Sequence, residues 1–178
     1  MRRIGKNDAR GDLFVLKLAY RHGIWEEIVM DQTQKLLQAV VENGRMGEDA
    51  CDQLLRRARD NAIRQELMLE KQHYAEAVRD AEQRLYSMGV QPRPKGPAAR
   101  MGIWMGMQIN TAVDRSASHI ADMLIQGSTM GVIELTKARN SCGDANADAQ
   151  GVASNLITKQ QEAIERLKAF LQQKAVVQ

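Results

Sequence analysis

Gly89-Val90-Gln91-Pro92-Arg93-Pro94-Lys95-Gly96-Pro97 holds all three prolines of the 178-residue chain. Proline lacks a backbone N–H and fixes φ, and glycine loosens the backbone, so the stretch reads as a linker. On either side lies a long proline-free segment with one break of its own. Gly44 and Gly47 mark the first break, and Ser141-Cys142-Gly143-Asp144 the second. Four helices follow. The first is expected from Asp12, a capping residue, to about Asn43. The second opens near Glu48 and Asp49, whose charge suits a helix N-terminus, and continues to about Met88. The third spans Ala98 to Asn140, with Gly102 and Gly106 fraying its start. The fourth spans Asn146 to Lys174.

The expected fold is an all-α, antiparallel four-helix bundle of long helices. Residues 1–11 are expected as a flexible arm and residues 12–178 as a single bundle domain. Short turns and one modest linker suggest that consecutive helices run antiparallel, although a crossover at the linker would change that. Composition agrees with helices. Only 4% of residues are aromatic, and the apolar content is mainly aliphatic. Strict apolar–polar alternation, the mark of strands, is all but missing.

Charge excludes several function classes. The net charge is +3, and the bases interleave with acids, as in Arg79, Asp80, Glu82 and Arg84. This pattern fits solvated helix faces rather than a nucleic-acid patch. No apolar run reaches a membrane span, and the N-terminus lacks the apolar core of a secretion signal. Two distant cysteines, Cys51 and Cys142, make no disulfide framework, so a soluble, cytoplasmic protein is expected. Both cysteines would lie near one turn end of the bundle, within reach of each other.

Apolar stripes at helical spacing define the expected core. They run Phe14, Leu18, Trp25, Val29, Leu36, Val40; then Leu55, Ala58, Ala62, Leu69, Ala77, Ala81, Leu85. The third runs Met105, Ala112, Ser116, Ile120, Met123, Gly127, Met130, and the fourth Ala153, Leu156, Ile164, Leu167, Leu171. The informative residues are the polar ones on these faces. His22 and Glu26 fall on the inner side of the first helix, Glu70 and His73 on the second, and His119 on the third. Glu66 points away, toward solvent. With the first turn near residue 46, His22 comes level with Glu70, and His119 lies within about a turn of His73. Imidazole and carboxylate together suit iron, manganese or zinc. A Glu-x-x-His step puts both groups on one helix face. Hydrogen-bonded polar core residues, such as a His–Glu pair, explain the same pattern without metal.

At Glu70-Lys71-Gln72-His73 the chain resembles the ferritin-like superfamily, and the likeness in helix number and length covers most of the chain. The resemblance implies a metal site in which Glu26 is the first-helix carboxylate and Glu70 and His73 are the second-helix pair. Gln160-Gln161-Glu162-Ala163 stands where a second Glu-x-x-His would sit, and Gln160 and Ala163 face inward. His119 stands where the family usually has Glu.

Other motifs are weaker. Met101, Met105, Met107, Met123 and Met130 suit core or interface filling better than copper binding. Trp104, Ile103 and Met107 could form an oligomer patch. Gly127-Ser128-Thr129-Met130-Gly131 allows close helix approach, and Asp144 to Asp148 reads as helix capping rather than a calcium loop. No phosphate loop or nucleophile elbow occurs. Two functions remain open: a metal-binding bundle handling iron or dioxygen, with His22, Glu26, Glu70, His73 and His119 as ligands, and a non-enzymatic protein that forms homo-oligomers or docks on a partner.

Overall fold

The computed structural model describes residues 31–93 and 114–171. Four helices make up these residues: α1 (Gln32–Leu55), α2 (Asn61–Ser87), α3 (Ala117–Ser141) and α4 (Ala147–Leu171). They form an all-α helical bundle with no strand among the described residues, and all belong to one compact unit that begins at Gln32. The N-terminal arm, the expected first half of the first helix and most of the linker lie outside the described residues.

The first turn is not where the glycines suggested. α1 passes through Gly44 and Gly47 and ends at Leu55. A Cβ on Gly44 would come 2.5 Å from Val78 Cγ2, and one on Gly47 would come 2.5 Å from three ring atoms of Tyr74. The glycines therefore bring α2 close to α1. A glycine costs about 1 kcal/mol in a helix interior, and close packing offsets that. The real turn is Arg56–Asp60. Asp60 caps α2, accepting from the N–H groups of Ala62 (2.9 Å) and Ile63 (3.0 Å). Arg64 covers the exposed end of α1, donating to the carbonyls of Leu55 (2.7 Å) and Ala58 (3.0 Å).

The other ends follow local chemistry. Gly89, at φ +74°, closes α2, with the N–H of Val90 donating to Leu85 O (3.0 Å) and that of Gly89 to Tyr86 O (2.9 Å). Ser116 is extended and its hydroxyl accepts from His119 N–H (3.2 Å), so a helix starts at Ala117 instead of running unbroken from Ala98. Ser116 is thus a cap, not part of the stripe. Asn146 caps α4 through Ala149 N–H (2.8 Å), as expected.

Cross-helix contacts give the topology. Gln32 donates to Asp144 (2.9 Å), Asn146 N–H donates to Thr33 Oγ1 (3.0 Å), and Arg84 pairs with Asp148 (2.6 Å). The start of α1, the end of α2, the end of α3 and the start of α4 therefore share one end of the bundle. Neighbouring helices are antiparallel in the order α1, α2, α4, α3. The consecutive helices α2 and α3 run parallel across the diagonal. The consecutive pairs α1–α2 and α3–α4 are antiparallel as expected, and only the pair across the linker departs from that expectation. The end of α2 and the start of α3 therefore lie at opposite ends of the bundle. The crossover leaves along α1, where Gln38 accepts from Arg93 N–H (2.9 Å) and donates to its carbonyl (3.1 Å).

The core is Leu36, Leu37, Val40, Leu54, Ile63, Leu67, Leu85, Ile120, Leu124, Leu135, Leu156 and Leu167 with smaller neighbours. On α2 the buried face is Ile63, Leu67, Glu70, Tyr74, Val78, Ala81 and Leu85. Leu69 and Ala62, expected on the stripe, are exposed, as is Leu171 on α4. Cys51 and Cys142 are both buried and free. They do not approach, because Cys142 lies level with the start of α1, roughly 28 Å of helix below Cys51 at 1.5 Å per residue.

Candidate functional site

Two polar groups interrupt the apolar interior midway along the bundle. The first is neutral. Asn43 on α1 donates to Gly131 O on α3 (3.0 Å) and accepts from Gln160 Nε2 on α4 (2.7 Å). Gln160 Nε2 also reaches Tyr74 Oη (3.4 Å), which hydrogen-bonds Ser128 Oγ (3.4 Å). All four helices contribute. Burial pushes the Tyr74 phenol up to about 12, so it stays protonated and can donate. A Cβ at position 131 would lie 2.7 Å from Gln160 Nε2 and would displace that amide. Gln160 Oε1 is buried without a hydrogen-bond donor. The small-residue step at 127–131 is therefore used inside the bundle.

The second group is ionic and lies between α2 and α4. Glu70 occupies a seam position and is 1% exposed. Arg166 crosses from α4, donating from Nη2 to Glu70 (2.5 Å) and from Nε to Glu66 (3.0 Å). Glu66 is thus a partner in the cluster rather than a solvated acid. His73 Nδ1 lies 3.3 Å from Glu70, one turn further along. Burial outweighs the Arg166 charge and pushes Glu70 up to about 7. Burial, then the charges of Lys159 and Arg166, hold His73 below its usual value. His73 opens onto a groove of about 350 Å³ between α2 and α4, whose floor includes Ala77, Val152 and Leu156.

The expected ligands are placed as follows. Glu70 and His73 come together. His119 sits in the first turn of α3 with a half-buried side chain. Tyr74 pairs with Ser128, so His73 is level with about residue 127 and His119 is roughly 12 Å away along the axis. His22 and Glu26 lie outside the described residues. Their expected heights came from a turn near residue 46, and that turn is at 56–60. Among the described residues, no three His, Cys, Asp or Glu side chains gather as a metal cluster. The one fully buried carboxylate among the described residues, Glu70, is already held by the Arg166 guanidinium.

Sequence reasoning missed Arg166, Asn43 and Tyr74. The available signal was the α2 periodicity: steps of three and four from Ile63 to Leu85 put Glu70 on the seam, and a buried acid calls for a facing base.

No family model matches the chain, and no curated protein matches it. Among solved structures it is similar to a DUF305 fragment from Deinococcus radiodurans, with a TM-score of 0.63 and 18% identity. The match covers 80% of this chain and 96% of that one. At this identity the likeness speaks for the fold alone. No described helix is long and apolar enough to cross a membrane.

Proposed function

We propose that this bundle is a non-enzymatic interaction module that associates with itself. The observation that carries the reading is the Glu70–Arg166 pair. The fully buried acid of the described core is neutralised by an arginine of the same chain, and the neighbouring Asn43, Tyr74, Ser128 and Gln160 hydrogen-bond one another, with Gln160 Oε1 alone left without a donor. Such an interior specifies how helices meet and leaves little chemistry free for a substrate. What remains for recognition is the outer face of the helices.

Equilibrium sedimentation over a wide concentration range tests this. The apparent mass is expected to rise from monomer toward dimer. A constant monomer mass up to the highest concentration would overturn the reading.

The rival is a metal-binding, ferritin-like bundle with iron, manganese or zinc at Glu70 and His73, completed by His22, Glu26 or His119. The closeness of Glu70 and His73 favours it. It requires Arg166 to withdraw from Glu70, so metal content separates the two readings.

A further inference from the structure

The face of α2 turned away from the core carries an order of its own. Leu69, Gln72, Glu76, Arg79, Gln83 and Tyr86 are all exposed and recur at alternating steps of three and four. That is the spacing of a heptad seam, here with apolar bodies at its two ends and polar side chains between. Inside the bundle, α2 already uses a different seam, from Ile63 to Leu85. The outer one has no helix against it among the described residues.

The outer seam is also self-complementary. Turned end for end about the point between Ala77 and Val78, Leu69 falls on Tyr86, Gln72 on Gln83 and Glu76 on Arg79. A two-fold axis requires this property of an interface between identical chains. The apolar pair is well exposed, Leu69 at 38% and Tyr86 at 58%. The charges are available. Arg79 makes no ion pair with another described residue, and Glu76 accepts only from its own neighbour Gln72 (2.8 Å).

We propose that a second copy of this chain packs on this face, α2 against α2, antiparallel about a two-fold axis between Ala77 and Val78. This names the surface behind the self-association read above and rests on that reading. Each end of the contact is a Leu69–Tyr86 layer. Inside these lie two amide pairs, Gln72 with Gln83. At the centre, Glu76 of each copy meets the partner's Arg79. The groove beside Glu76, Arg79 and Gln83, with Asn155 and Lys159 on its far rim, gives the partner helix room to settle toward α4. The seam spans roughly 26 Å at 1.5 Å per residue. Its middle is polar, which fixes register at a cost in strength. The dimer is therefore weak and concentration-dependent.

Charge exchange tests it on the full chain, by sedimentation. Glu76→Arg alone and Arg79→Glu alone each place like charges opposite each other, and each is expected to weaken self-association at least ten-fold. The double variant Glu76→Arg/Arg79→Glu restores the opposite pairs and recovers the dimer. An equimolar mixture of the two single variants associates, because one chain then presents two bases and the other two acids. This rescue separates lost pairing from lost folding. A wild-type dimer indifferent to all these changes would overturn this face and leave self-association standing. A wild-type chain that stays monomeric would overturn both.

Discussion

The two polar groups of the interior lie within about a turn of each other on α2, yet they are built differently. At Asn43, Tyr74, Ser128 and Gln160 every partner is neutral, buried and fixed by packing. At Glu66, Glu70, His73 and Arg166 the groups are charged or titratable, and Arg166 keeps a third of its side chain in solvent. The first arrangement depends on close approach and tolerates little change in shape. The second depends on charge and responds to pH. The contrast teaches that a buried polar residue is not by itself a sign of chemistry. What matters is whether its partners leave any of its capacity free.

The largest effect is expected on the neutral side. Gly47→Ala drives a Cβ into the rigid Tyr74 ring, at 2.5 Å from three of its atoms. Overpacking of this kind costs about 1–3 kcal/mol, against a gain of roughly 0.5–1 kcal/mol in helix propensity. A net loss of about 2 kcal/mol is expected, seen as a melting temperature lower by about 4–8 °C. An unchanged melting temperature would mean that the α1–α2 contact is looser than the distances indicate.

The ionic side should respond to a comparable degree, and with pH. Burial pushes Glu70 up to about 7 in the fold, against an ordinary value of 4.5. Its protonated form therefore favours folding. The stability it contributes is present below about pH 4.5 and is lost as pH rises through about 7. His73, held low by burial, acts in the opposite sense, losing stability as pH falls below its usual value. Glu70→Gln isolates the first effect. Relative to the variant, the wild type should lose on the order of 2 kcal/mol between pH 4.5 and 7.5. Denaturant melts of both proteins across that range check it, and parallel curves would show that Arg166 fully compensates the buried charge.

Much of the fold was legible from punctuation. The proline cluster marked the linker, Gly89 the end of α2, and Asn146 the start of α4. Reading glycine as a stop failed at Gly44 and Gly47, because packing against Val78 and Tyr74 is a tertiary reason that local propensity does not contain. That one misplaced turn removed the basis of every height derived from it. The crossover was hidden for a similar reason: a linker composition tells that the chain leaves a helix, not where it goes. Of the candidate site, the inward Glu70, His73, Gln160 and Ala163 were visible from spacing. Arg166 was not, because its long side chain reaches the core from a position at the edge of the α4 stripe.

The account rests on Arg166, not a metal ion, as the counter-charge of Glu70. Elemental analysis of protein purified without chelators, for the wild type and for Arg166→Ala, tests this most directly. The account predicts iron, manganese and zinc well below one ion per chain in both. Close to one ion per chain in the wild type, lost in Glu70→Gln or His73→Ala, would contradict it.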